Sequence, residues 1–256
     1  MKHLDLFSGI GGFALAARWV GWETVGFCEI DPYCQKVLRK HWPNVPIYED
    51  IRNLEHRGSV DVITAGFPCQ DISVAGKQAG IEGERSGLWS ELARVLGEIR
   101  PRYAVLENVS NLLSGDSGRW FQRVLGDLAE IGFDAEWHCI PASAVGAPHR
   151  RDRVWIVAYP KKLHGNGSGE HTEQSERQLP ELGERGSSED IQHPTHYASI
   201  GERIRRGESS EWWRVESDVG RVAHGIPKRV DRLRGLGNAI VPQVAEVIFR
   251  SIESQA

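Results

Sequence analysis

The chain has 256 residues, 40% hydrophobic and 26% charged, with a formal net charge of −4. That length and balance suit a soluble α/β-sized body and exclude a disordered chain, while the net charge argues against binding nucleic acid through the whole surface. No stretch approaches the roughly 18 consecutive apolar residues of a membrane span, and no signal peptide is expected ahead of the first strand. Four cysteines (Cys28, Cys34, Cys69 and Cys139) at irregular spacing predict neither a disulfide framework nor a zinc site, and a reducing cytoplasm is the expected setting.

Residues 3–7 read as a buried strand, followed by the glycine-rich turn Ser8-Gly-Ile-Gly-Gly-Phe-Ala14. A helix then presents Leu15, Trp19 and Val20 on one side. Strand two is Glu23–Cys28 and closes on Glu29, twenty residues beyond Gly9, the offset at which an acid meets a ribose hydroxyl in nucleotide-binding sheets. Gly9-x-Gly11-x-x-Ala14 also satisfies the dinucleotide fingerprint, which keeps a nicotinamide oxidoreductase in view. Asp31-Pro-Tyr starts a helix that runs to about His41. Val45–Asp50 is a third strand, where Asp50 either accepts from a ligand's amine or caps the next turn.

The fourth strand runs from Asp61 into Gly66-Phe-Pro-Cys69-Gln70 and delivers a cysteine at the exit of a turn. Such a cysteine is either a small core residue or a nucleophile at the carboxyl edge of a sheet. The polar, glycine-rich stretch 71–87 reads as a functional loop. Ser90–Ile99 is an amphipathic helix, 101–106 a fifth strand ending in Glu107-Asn108, and 119–131 another helix. Two strands follow, at Trp137–Ile140 and Val154–Ala158. The alternation predicts a doubly wound, mostly parallel α/β sheet. Beyond Pro160 the composition turns to Gly, Ser, Glu, Gln, His and Arg, too polar for a core of its own. Globular sequence returns at 235–242, and the last helix has Pro242 in its first turn and buries Val244, Ile248 and Ile252. Basic residues cluster at 149–153 with Lys161 and Lys162, and again at 221–234.

Asp5-Leu-Phe-Ser-Gly-Ile-Gly-Gly, Glu29, Asp50-Ile51, Gly66-Phe-Pro-Cys-Gln, Glu107-Asn-Val, Arg151-x-Arg153 and Gly237-Asn238 occur in one order along the chain. In that order the sequence resembles the cytosine-5 DNA methyltransferases, over 3–159 and again over 221–250, and looks most like compact phage and prophage members. The resemblance implies a class I, Rossmann-like methyltransferase fold. Residues 1–159 would form the catalytic and cofactor-binding domain, 160–220 a short and partly disordered target-recognition region, and 221–256 the return to the catalytic domain. S-adenosylmethionine is the implied cofactor, with Phe7, Gly9, Gly11, Glu29, Ile30, Asp50, Ile51, Pro68 and Asn238 around it. Double-stranded DNA is the implied partner, touched by Gln70, Ser73, Asn108, Arg205, Arg206, Trp212 and Trp213. No metal, no membrane and a monomer are expected.

The chemistry accounts for the residue types. Carbon 5 of cytosine is a poor nucleophile until a thiolate adds at carbon 6, a role that suits Cys69. An ordinary thiol, with a pKa of about 8.5, is only slightly ionised at neutral pH, so a nearby cation helps; Arg151 and Arg153 are candidates for that, and for holding the base's carbonyl oxygen or a phosphate. Glu107 would give a proton to ring nitrogen 3. Attack on a base edge requires the cytosine out of its stack. Two features depart from the family's pattern: His149 stands where Gln is usual, and only about 60 residues separate Tyr159 from Arg221. An RNA cytosine methyltransferase would share the same chemistry. A non-catalytic DNA-binding relative would show a damaged nucleophile or cofactor motif, and neither motif is damaged in this chain.

Overall fold

The computed structural model describes residues 1–68, 87–161 and 229–254. Cys69, Gln70, Ser73, most of the 71–87 loop, Arg205, Arg206, Trp212, Trp213 and the start of the second basic cluster lie outside the described residues. Seven strands form one sheet: β1 (Lys2–Leu6), β2 (Glu23–Cys28), β3 (Ile47–Tyr48), β4 (Val62–Gly66), β5 (Tyr103–Val109), β6 (Phe133–Ile140) and β7 (Arg153–Pro160). Their spatial order is β3-β2-β1-β4-β5-β7-β6, parallel from β3 to β5, with β7 antiparallel to both its neighbours. The expected doubly wound, mostly parallel sheet is therefore the fold observed. Strand order reverses between β1 and β4, and at such a switch point the loops leaving the two strands part and open a crevice.

Side-chain alternation sorts the core to two faces. Leu4, Leu6, Ile63, Ala65 and Leu106 pack on the face covered by α3 (Gly87–Ile99) and α4 (Arg119–Glu130). Val62 and Val105 face α1 (Gly12–Trp19) and α6 (Pro242–Glu253), the latter preceded by α5 (Arg229–Asn238). The helix α2 (Pro32–His41) begins where expected, with Asp31 accepting from the amides of Tyr33 and Cys34 and Pro32 in the first turn. The last helix, α6, buries Val244, Ile248 and Ile252 as expected, together with Ala245 and Phe249.

Two elements differ from the sequence reading. The buried side of α1 is Phe13, Ala14, Ala16 and Ala17, while Trp19 is 39% exposed. Fully buried alanines at 16 and 17 leave no bulk between helix and sheet, so the small residues face inward and the large Trp19 lies at the edge. The third strand is only Ile47–Tyr48, because Asp50 leaves the sheet to cap a single 3₁₀ turn, Ile51–Asn53.

On the α1 face, three fully buried polar side chains are linked in a row. His3 Nε2 lies 2.8 Å from Thr64 Oγ1, and Thr64 Oγ1 donates to Asp5 Oδ1 at 2.9 Å. The hydroxyl has one proton, so giving it to Asp5 requires His3 to donate from Nε2 and to accept at Nδ1 from Thr24 Oγ1, 3.0 Å away. Burial pushes the His3 imidazole down to about 3 and the Asp5 carboxyl well above the usual carboxylate range. Asp5 also accepts from the Ala14 amide, an orphan donor in the first turn of α1. Thr64→Val keeps the shape and deprives two buried groups of their partner. It is expected to lower stability by about 2 kcal/mol in denaturant unfolding, with Thr64→Ser close to the parent; equal midpoints for all three would sink this account.

Candidate active site

The carboxyl ends of β1, β2, β4 and β5 bring most of the described candidates together. Phe7 leaves β1 at φ 53, and Ser8 donates to the carbonyls of Asp5 and Cys28 at 2.6 and 3.3 Å. Gly9 has φ +53, and a Cβ there would meet nothing within 4 Å. Its amide donates to Glu29 Oε2 at 2.6 Å, while Glu29 Oε1 accepts from the Asp31 amide at 2.7 Å. Burial raises the Glu29 pKa, and these amide donors oppose the shift. Ile30 beside it is 66% exposed. Gly11 and Gly12 serve packing instead: a Cβ on Gly11 would meet Trp42 at 2.7 Å, and one on Gly12 would meet Ile240 Cγ1 at 2.8 Å. Of the three glycines, Gly9 is the one with open space beside it, although its amide is taken by Glu29.

Asp50 accepts from the Arg52 amide at 2.9 Å and Nε at 3.1 Å, and these donors lower its pKa. Ile51, also expected at the cofactor, has its side chain in the core at 3% exposure. Its carbonyl accepts from Arg94 Nη2 at 2.9 Å, a link from α3 to this turn that sequence reasoning missed; nothing in the local pattern around Arg94 signals it.

The reactive end is built on β4 and β5. Glu107 and Asn108 lie in the last part of β5, as expected. Glu107 pairs in register with Gly66, and a Cβ on Gly66 would stand 3.6 Å from Glu107 Oε2. The carboxyl therefore lies over the residue that ends β4, just ahead of Phe67 and Pro68. Its side chain is 11% exposed and bonded to Arg153 Nε through Oε1 at 3.0 Å. Burial pushes its pKa up to about 7; Arg153 foremost, and Arg151 as well, pull against that. Asn108 is buried, and its Nδ2 donates to the Phe67 carbonyl at 3.2 Å while its Oδ1 accepts from the Val109 amide at 2.8 Å. Expected on the substrate side, it clamps the turn that leads to Cys69. Phe67 is 6% exposed and packs on Trp89. Arg151 parts company with Arg153: its Nη2 donates to the carbonyls of Gly237 and Ala239 at 2.6 and 2.7 Å, on either side of Asn238 in the exit from α5.

The sheet order, the open glycine turn with its acid, and a buried carboxyl beside the Pro68 turn define a nucleotide-type α/β enzyme body. Residues 1–214 match the family described as C-5 cytosine-specific DNA methylase, and the chain belongs to that family. It is 39% identical over 162 residues to the type II methyltransferase M2.BsuMI of Bacillus subtilis strain 168, covering 62% of this chain and 42% of that protein. It is 32% identical over 166 residues to M.HhaI of Haemophilus parahaemolyticus, covering 64% and 50%. The chain thus spans about half the length of these relatives or less. Among solved structures, a DNA modification methyltransferase encoded within an E. coli prophage superposes with a TM-score of 0.55 at 23% identity, covering 66% of this chain and 49% of that one. DNMT2 of Spodoptera frugiperda gives 0.53 at 24%, covering 67% and 53%. These two likenesses show a shared fold.

Proposed function

We propose that the protein transfers a methyl group from S-adenosylmethionine to carbon 5 of a cytosine flipped out of duplex DNA. The observation that carries this reading is Glu107: buried, raised to about 7, bonded to Arg153 and lying over Gly66 at the head of the cysteine turn. A carboxyl so buried holds a proton near neutral pH, which is what protonation of ring nitrogen 3 requires.

The cofactor fits the residues present. Gly9 leaves open space beside it, Glu29 would accept from ribose hydroxyls with the lone pairs its amide donors leave, and exposed Ile30 offers an apolar face next to Glu29. Phe7, Asp50, Pro68 and Asn238 would complete the surround. When bound, the cofactor supplies an electrophilic methyl group. The Cys69 thiolate forms the bond to carbon 6, Glu107 gives its proton to nitrogen 3, and carbon 5 becomes nucleophilic. After methyl transfer the carbon 5 proton leaves to solvent, the sulfur–carbon 6 bond breaks, and the nitrogen 3 proton returns to Glu107. Gln70 and Ser73 would close over the base, and Arg205, Arg206, Trp212 and Trp213 would lie against DNA.

We place this activity in a reducing cytoplasm, bacterial or phage-infected, with the protein acting as a monomer. Among the described residues no helix is long and apolar enough to cross a membrane, and no group of three or more His, Cys, Asp or Glu could hold a metal.

Incubation with labelled methyl donor and either duplex DNA or bulk transfer RNA tests the substrate. Label is expected in DNA, and incorporation only into RNA would overturn that choice. A duplex carrying 5-fluorocytosine is expected to trap a covalent adduct at Cys69, because fluorine cannot leave as the proton does.

A further inference from the structure

Arg151 is bound in a way that the proposed chemistry at cytosine does not use. It sits in the turn between β6 and β7 at φ 42, a left-handed conformation that a side chain adopts only when its surroundings hold it there. What holds it is the pair of carbonyl bonds already described. Gly237 lies in the last turn of α5, where carbonyls have no intrahelical partner. A guanidinium there satisfies the orphan oxygen and places positive charge at the helix's negative end.

The segment so anchored lies across the cofactor side of the sheet. Upstream, Arg234 pairs with Asp31, the cap of α2, at 3.8 Å, and a Cβ on Gly235 would stand 3.2 Å from Ile10 Cγ2. Downstream, Ile240 is the residue that Gly12 packs against, and a Cβ on Gly66 would lie 3.9 Å from its Cγ2. Residues 234–240 thus contact the glycine turn at Ile10 and Gly12, and reach the end of β4.

We propose that Arg151 is a positioning residue for the methyl donor: it fixes the 234–240 segment over the glycine turn and with it Asn238, leaving Arg153 as the arginine bonded to Glu107. This deepens the methyltransferase reading and rests on it. The two arginines, two positions apart in sequence, then serve different ligands. Arg151 also acts through space on Glu107, but no hydrogen bond between them is seen.

Titration calorimetry with S-adenosylhomocysteine, with no DNA present, separates the roles. Arg151→Ala is expected to weaken binding about tenfold or more, as loss of a charge-assisted pair of bonds would. Arg151→Lys, which keeps a donor and the charge, is expected to recover part of the loss, and Arg153→Ala to bind like the parent. In steady state Arg151→Ala should raise KM for the donor far more than it lowers kcat, and Arg153→Ala the reverse. If Arg151→Ala does not fold, Ile240→Ala carries the same test, with weaker binding expected. A folded Arg151→Ala, or Ile240→Ala in its place, with parental affinity overturns the positioning role alone. Absence of binding by the parent protein overturns the methyltransferase reading and this proposal together.

Discussion

Serine at position 69 is expected to abolish methyl transfer, lowering single-turnover rates by more than roughly a thousandfold, while S-adenosylhomocysteine binds Cys69→Ser as it binds the parent. A hydroxyl ionises far above neutral pH and is a harder, poorer nucleophile toward carbon 6 than a thiolate. The described residues just ahead of position 69 are held by groups the substitution does not touch: Asn108 donates to the Phe67 carbonyl, and Phe67 packs on Trp89. The residues proposed for the cofactor, Gly9 and Glu29, follow other strands, β1 and β2. A serine variant with near-native turnover would remove covalent catalysis from the mechanism.

Glu107→Gln is expected to cut kcat by roughly a hundredfold to ten-thousandfold, the usual range for losing a positioned acid. The glutamine cannot give up a proton, although it retains the shape and hydrogen bonding of the carboxyl. With its pKa at about 7, Glu107 is protonated below neutrality and loses that proton above it, so parental turnover should fall on the alkaline side. The glutamine variant should lack that fall. The same group makes a stability prediction of fixed sign. Its folded pKa is raised, so its contribution is complete below the ordinary value of 4.5 and is lost as pH rises through about 7. That shift corresponds to on the order of 3 kcal/mol. The parent's stability relative to Glu107→Gln should therefore decline between pH 5 and pH 8. Denaturant melts at the two ends of that range decide it; a relative gain by the parent at pH 8 would refute the assignment.

The sheet was legible because each strand carries its own apolar run and its own stop. Strand β2 ends at Cys28 and α2 starts at Pro32 behind its cap Asp31, since the signals there are local. Where neighbours decide, the sequence misled or was silent. Helix α1 turns its alanines inward because it packs close to the sheet, which hydrophobic weight alone does not reveal. Ile51 lies next to Asp50 in sequence, yet a 3₁₀ turn sends its side chain to the core. The chain of His3, Thr64 and Asp5 joins residues about sixty positions apart, and no motif records it. Glu107 and Arg153 were both named from the sequence. Their bond to each other, and the binding of Arg151 to the α5 exit, are long-range pairings that spacing does not encode.

The reversed direction of β7 has a topological consequence. Ala158 pairs with Ala104 near the beginning of β5, so the chain leaves the sheet at Pro160 on the rim where the parallel strands start. It is back at Ile240 on the opposite rim, against Gly12 and Gly66. Pro160 and Ile240 therefore stand on opposite rims, separated by the height of the sheet, about 20 Å for a seven-residue strand. Any sequence exchanged between these two points must bridge that height, which sets a minimum length for it.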